Sequence, residues 1–517
     1  MAEGRRARDW SWAALGIVAA LAVVTLVGEY RRPLNPDAAW LLYAAGRVLH
    51  GERLYSDLLE INPPLIVWLN LPVAWVSRMT DWPDAAVFRA AMIGLVGVSC
   101  AACVGLARRE GRAPRWVLAA VLFVLLPLVG GMFGQREHVL LALVLPLVGL
   151  TVLRIEQVPV STGAAAAIGL MGAVGIALKP HYAAGWLLLV AYRWWSGGRR
   201  ARPLMPEDLA VVGLGIAYPL LVLALTPGYF PLVAGAARDY LGYGSQPLRY
   251  VLLDDSPAIW FYVALVVWLL FDGGMRRTPR SGVLAAMGVG AVVAVALQHK
   301  GWSYHYLPLT AFAFLLAAST LASTEGSGAR GLARMAYGVV VLLFAGNMSA
   351  LVARRAFGPL DPREQRQVAV QAAVGRETGA RTILVLSSQL RDAFPLTNDA
   401  RLRWVGGYAN MWMSLVYYPA VSGEGLAYHS PPAMPPRERQ AFDRTVRAVV
   451  DGRPDVLVVE SPALNARRNR SESGFDFLGY LSQDSSCAEA LSSYRRRADV
   501  DSLWVFRRVE GDSRGPH

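Results

Sequence analysis

Apolar residues in this chain collect into eleven runs, near 10–28, 86–107, 117–134, 137–154, 162–178, 182–194, 208–226, 258–271, 282–298, 305–322 and 333–352, most of them long enough to cross a hydrocarbon layer. Inside such a layer no water satisfies the backbone, so each run must close its own hydrogen bonds as a helix. Only 17% of the residues are charged, against about 25% in an ordinary soluble protein. This excludes a soluble enzyme, a disordered chain and a simple secreted protein. An all-α polytopic membrane domain is expected over residues 1–352. The formal charge is +13, from 51 Lys and Arg against 38 Asp and Glu. The basic residues fall in short clusters between apolar runs, so they read as topology signals and not as a nucleic-acid surface.

The first run follows Gly4-Arg5-Arg6-Ala7-Arg8 and is too long for a cleaved leader, which predicts a signal anchor with a cytoplasmic N-terminus. Alternating the runs from there puts Arg108-Arg109 with Arg112, Arg154, Arg193 to Arg202, Arg276-Arg277 with Arg280, and Arg330 with Arg334 on the cytoplasmic side. A crossing at Pro63–Met79 would invert all of these loops. Pro63, Pro64 and Pro72 instead predict a short, broken helix, interfacial or re-entrant, at the outer face. Cys100 and Cys103 form a C-x-x-C inside an apolar run and Cys487 stands apart, a pattern that gives no disulfide framework.

After Val352 charges become frequent and no further run is long enough to cross. Residues 353–517 are expected to form a small extracytoplasmic α/β or α+β domain. Its strands are placed at Thr382–Leu386, Asp455–Glu460 and Ser502–Arg507, with helical periodicity over Pro436–Val450. Trp404, Tyr408, Trp412, Tyr417 and Tyr418 fit its own core better than a glycan or the bilayer. Ser323–Arg330 reads as a Gly/Ser-rich linker, and Asp254-Asp255 as a loop acid pair or cap.

Ionisable residues at the edge of an apolar layer cost several kcal/mol unless they are paired, hydrated or used. Four places carry them. One is the first outer loop, with Asn35-Pro36-Asp37, the amphipathic stretch Ala38–His50, and Glu60-Ile61-Asn62-Pro63-Pro64. The others are Gln135-Arg136-Glu137-His138, then Lys179-Pro180-His181, and finally the Gln298–His305 stretch with Lys300, Tyr304 and His305. Basic loops alone place all four on the outer face, which predicts one composite site. Asp37 also suits a helix cap, Arg136 and Glu137 a structural ion pair, Lys179 a snorkelling lysine, and the last stretch an interfacial aromatic belt. Functionally, Arg, Lys and His suit an anion such as a lipid phosphate, and a carboxylate suits proton removal from an acceptor hydroxyl. With a sugar joined to that phosphate, the chemistry is glycosyl transfer.

The run Asn35-Pro36-Asp37-Ala38-Ala39-Trp40 through Gly46-Arg47-Val48-Leu49, followed by Gly51, Tyr55 and Asn62-Pro63-Pro64, resembles the first outer loop of GT-C membrane glycosyltransferases. These include protein O-mannosyltransferases and lipid A aminoarabinose transferases. The likeness covers roughly 1–350 as architecture and about 35–65 as motif. It implies transfer of a sugar from a polyprenyl-phosphate donor to a glycan, lipid or protein acceptor on the outer face of the cytoplasmic membrane. It also implies a role for Asp37 as general base or acceptor-positioning group. Many relatives carry an acidic pair at that place, whereas Ala38 and Ala39 follow Asp37 here, which leaves Glu60 or Glu137 to supply any second carboxylate.

The expected site therefore has Asp37 and Glu137 as catalytic acids. Glu60, Arg136, His138, Lys179, His181, Lys300, Tyr304 and His305 are its substrate-binding residues. No spacing defines a metal site, and participation of a divalent ion is left open. The rivals are a transporter of a lipid-linked or anionic substrate, a membrane-anchored scaffold, and a polyprenyl-diphosphate-dependent glycan polymerase or ligase. A transporter would favour broken helices at the midplane and two matching halves, and no half-repeat is visible.

Overall fold

The computed structural model describes residues 2–197, 204–254, 256–271, 278–323, 329–418, 427–471 and 473–509. Arg199, Arg200, Arg202, Arg276, Arg277, Asp255 and the linker core at 324–328 lie outside the described residues. Every apolar run is helical, in the helices Ala2–Arg31, Asp84–Arg109, Pro114–Leu125, Arg136–Ile155, Thr162–Leu178, Ala183–Gly197, Pro206–Leu225, Ile259–Phe271, Pro279–Gln298, Leu307–Ser323 and Ala329–Phe357. The run near 117–134 departs most from a simple rod. Its helix stops at Leu125 and a 3-10 turn follows over Pro127–Met132, with Gly130 at φ 52° and ψ −131°. Pro127 cannot donate into the preceding turn, and Gly130 occupies a conformation a side chain would resist. Among the described residues seven helices are long and apolar enough to cross a membrane, and Thr162–Leu178 and Ile259–Leu270 are shorter apolar helices.

The chain divides into two compact units. The first contains Met1–Arg32, Arg89–Val222 and Gly244–Pro359. In it the helices Arg136–Ile155 and Thr162–Leu178 pack together, as do Ala183–Gly197 and Pro279–Gln298. Short turns reverse the chain between consecutive helices, so their ends alternate between two sides of the bundle. One side carries ion pairs of the basic loops. Arg154 grips Glu207 with two bonds of 2.9 and 3.0 Å, and Arg193 pairs with Asp208 and reaches Glu207 at 3.9 Å. The other side carries Glu137, Lys179, Gln298 and His305. Glycines let two of these helices touch along their backbones: a Cβ on Gly290 would lie 2.3 Å from the Cα of Gly185.

The second unit contains Pro33–Phe88, Leu223–Tyr243 and Leu360–His517. Its sheet has the order β2-β1-β3-β5-β4. The strands are β1 (Thr382–Leu386), β2 (Arg403–Trp404), β3 (Val456–Glu460), β4 (Tyr494–Val500) and β5 (Leu503–Arg508). β1 lies parallel between β2 and β3, while β5 runs antiparallel to both β3 and β4. The helix Pro36–Val48 buries every residue from Ala38 to Ala45. The N–H of Trp404 donates to the hydroxyl of Tyr43 over 2.6 Å, and Trp40 and Tyr43 lie 5.0 and 5.4 Å from Phe394. The segment 35–64 thus folds with the C-terminal region, and its helix is buried all round over Ala38–Ala45 where a one-sided amphipathic face was expected. Pro72 does not break Leu65–Thr80: one proline removes one donor from a 16-residue helix that continues on both sides.

Gly290→Val should force the helices Ala183–Gly197 and Pro279–Gln298 apart. Overpacking of this kind costs about 1–3 kcal/mol, so a lower unfolding temperature in detergent is expected, whereas an unchanged one would show that the helices do not pack this closely.

Candidate active site

In the first unit, Gln135 precedes the helix Arg136–Ile155 and aims Arg136 and Glu137 from its first turn. Lys179 ends Thr162–Leu178, because Pro180 forbids continuation and opens a 3-10 turn over Pro180–Tyr182. Gln298 is the last residue of its helix. His299 then turns left-handed at φ 52° and Gly301 follows at φ 61°, leading into the 3-10 turn Ser303–Tyr306. Three breaks in helical structure therefore present polar side chains at one side of the bundle.

These side chains converge. The Lys179 ammonium pairs with Glu137 Oε1 and donates to Gln298 Oε1 over 3.1 Å. His305 Nε2 stands 4.0 Å from the same Glu137 oxygen, and the Tyr182 hydroxyl donates to the His305 carbonyl over 3.1 Å. Lys179 also lies 5.3 Å from the centre of the Tyr304 ring, a cation–π contact. Glu137 is 0% exposed, Lys179 5% and His305 3%. Lys179, Arg136, His181 and Lys300 are all within electrostatic reach of His305. Burial, then Lys179, then Arg136 push His181 down to about 3, so it is neutral at pH 7. Burial lowers the Lys300 ammonium to about 8, and Lys300 sits 5.2 Å from the Trp302 ring. His138 belongs to the same turn as Glu137, and its Nδ1 accepts the Gly134 N–H over 3.1 Å.

In the second unit, Asn35 caps the helix Pro36–Val48 by accepting the Asp37 N–H at 3.0 Å. Asn35, and not Asp37, is thus the cap. Asp37 lies in the first turn of that helix. Its charge reaches Tyr243, whose hydroxyl is held above its ordinary pKa by burial first and by Asp37 second. Glu60 is buried and bonded within its own loop: Trp40 Nε1 donates to Oε2, and the Asn62 N–H and side-chain amide donate to Oε1 over 2.7 and 2.6 Å. Glu60 thereby ties the start of the helix carrying Asp37 to the Asn62-Pro63-Pro64 turn.

The structure therefore brings Arg136, Glu137, Lys179, His181, Lys300, Tyr304 and His305 together in the first unit and gives Asp37 and Glu60 to the second. Gln298, Tyr182 and Tyr243 were not singled out as site residues. Only their position beside charged residues at helix ends signalled them. Among the described residues no group of three or more His, Cys, Asp or Glu is arranged to hold a metal ion.

Removing Lys179 should strand a fully buried carboxylate. Breaking such a pair costs about 3–5 kcal/mol, whereas replacing both partners by apolar groups is close to neutral. Lys179→Ala should therefore unfold at a distinctly lower temperature, and Lys179→Met combined with Glu137→Leu should recover much of the loss. Equal, additive losses would mean that the two charges do not support one another.

No family model matches this sequence. No curated protein matches it either. Among solved structures, the crystal structure of ArnT from Cupriavidus metallidurans bound to undecaprenyl phosphate matches with a TM-score of 0.56 at 14% identity, covering 98% of this chain and 99% of that one. A correspondence over nearly the full length of both chains at so low an identity is a correspondence of fold. This chain is a multi-pass membrane protein with the fold of that ArnT structure, a helical bundle continued by a small sheet-bearing region.

Proposed function

We propose that this protein is a GT-C-type glycosyltransferase that moves a sugar from a polyprenyl-phosphate donor to an acceptor at the outer face of the cytoplasmic membrane. The gathering of Arg136, Lys179, Lys300 and two histidines around the buried Glu137 carries this reading. Cations in a poorly solvated place suit an anion that arrives within the membrane, and a lipid phosphate is such an anion. The ArnT fold, seen with undecaprenyl phosphate bound, supports the same ligand class.

In the reaction, the bond between the sugar's anomeric carbon and the phosphate oxygen breaks, and its electron pair goes to the phosphate. Arg136, Lys179 and Lys300 stabilise the charge that develops there. The acceptor hydroxyl forms the new bond to the anomeric carbon and gives its proton to the Asp37 carboxylate. Glu137 holds Lys179 in place, Tyr304 flanks it, and His181, His305 and His138 complete the donor side. Glu60 fixes the loop that carries Asp37. Residues 353–517 act outside the membrane, where an acceptor would be met.

Asp37→Asn should abolish transfer while leaving donor binding within a few-fold, measured with purified protein and synthetic lipid-linked sugars. Unchanged turnover would remove Asp37 from the mechanism. Lys300 is cationic below about pH 8 and loses its charge above it. Undecaprenyl phosphate affinity should therefore fall between pH 7 and pH 9 in the wild type, and the fall should be smaller in Lys300→Arg, whose guanidinium stays charged. Identical pH profiles would take Lys300 out of phosphate binding.

A further inference from the structure

The cluster in the first unit lacks hydrogen-bond partners at particular atoms. Glu137 is wholly buried, and while Oε1 meets Lys179, Oε2 has no partner. His305 is 3% exposed, and its Nδ1 has none either. The Nε2 of His181 is a third buried atom in the same condition. Each such atom costs about 1–3 kcal/mol relative to a satisfied one, and native proteins keep few of them. Three around one ion pair indicate a place built for a polar guest.

The chemistry of the three atoms narrows the guest. An ionised carboxylate only accepts hydrogen bonds, so Glu137 Oε2 requires a donor. The phosphate of a polyprenyl-phosphate sugar is a diester without an O–H at neutral pH and cannot supply one. A neutral imidazole offers one N–H and one lone pair, so the two histidines ask for groups that both donate and accept. Hydroxyl groups do both, and on a sugar they lie within a few ångströms of the linking phosphate.

We propose that Glu137 Oε2, His305 Nδ1 and His181 Nε2 form a subsite for the hydroxyl groups of the donor's sugar, beside the cations that hold its phosphate. This rests on the polyprenyl-phosphate reading above and deepens it: the protein distinguishes a glycosylated lipid phosphate from a bare one in the ground state, before any transfer.

The test uses the full chain in lipid nanodiscs and four probes: undecaprenyl phosphate, and the same lipid carrying glucose, mannose or arabinose. The wild type should bind at least one glycosylated lipid about tenfold more tightly than the bare lipid, the worth of one well-made hydrogen bond to a charged group. Glu137→Gln should lose that preference. His181→Phe, which keeps a ring but neither nitrogen, should lose it too and serves if Glu137→Gln does not fold. A cooperative thermal transition in the nanodisc, close to that of the wild type, shows that a variant is folded. Equal affinity of the wild type for all four lipids, or a preference unchanged in the variants, overturns the subsite alone. Failure to bind any of the four overturns the donor reading and the subsite with it.

Discussion

The ion pair between Lys179 and Glu137 is the interaction on which the arrangement of the first unit turns. Two charges removed from water are tolerated only when they face one another closely and their remaining polar atoms find partners. Glu137 stands at the start of one helix and Lys179 at the end of another, so their pairing requires those two ends to meet on the same side of the bundle. Gln298 brings a third helix end to Lys179, and His305 brings the turn before a fourth. One buried pair thus fixes four helix ends with respect to each other. The Gly185–Gly290 contact permits this by allowing two of the helices to approach backbone to backbone.

The two sides of this bundle use charge differently. On one side Arg154 pairs with Glu207 and Arg193 with Asp208. On the Glu137 side helices give way to 3-10 turns at Pro127–Met132, Pro180–Tyr182 and Ser303–Tyr306. Lys179 pairs with Glu137 there, and Arg136 and Lys300 lie within electrostatic reach of His305. Irregular backbone at the edge of an apolar layer survives where it is buried in protein or lines a polar cavity. Broken helix ends carrying charged side chains distinguish this side from the other.

Much of this was legible in the sequence because membrane helices are strongly constrained. Each apolar run had to be helical, and basic clusters fixed the alternation that put Glu137, Lys179 and His305 on a common side. The helix Pro436–Val450 and strands β1, β3 and β5 also followed from their periodicity. Two strands did not. β2 is only Arg403–Trp404, too short for a pattern, and β4 reads Tyr-Arg-Arg-Arg-Ala-Asp-Val because an edge strand carries charge that hides its alternation. The helix Pro36–Val48 looked amphipathic beside a membrane, and its burial against Phe394 and Trp404 depends on residues more than 300 positions away, which no local pattern encodes. Glu60 likewise looked like a spare carboxylate. Its bonds to Trp40 and Asn62 became visible only with the loop's path.

The environments of the two proposed catalytic acids argue for different roles. Glu137 is sealed, ion-paired with Lys179 and approached by His305, so its orientation is fixed by its partners. It is placed to orient Lys179 and to accept hydrogen bonds. Asp37 is half-buried in the first turn of a helix already capped by Asn35, in a loop braced through Glu60. The proposed division of labour follows this difference in setting: Glu137 orients Lys179 from within the cluster, and Asp37, presented from the first turn of its helix, is the acid assigned to proton removal.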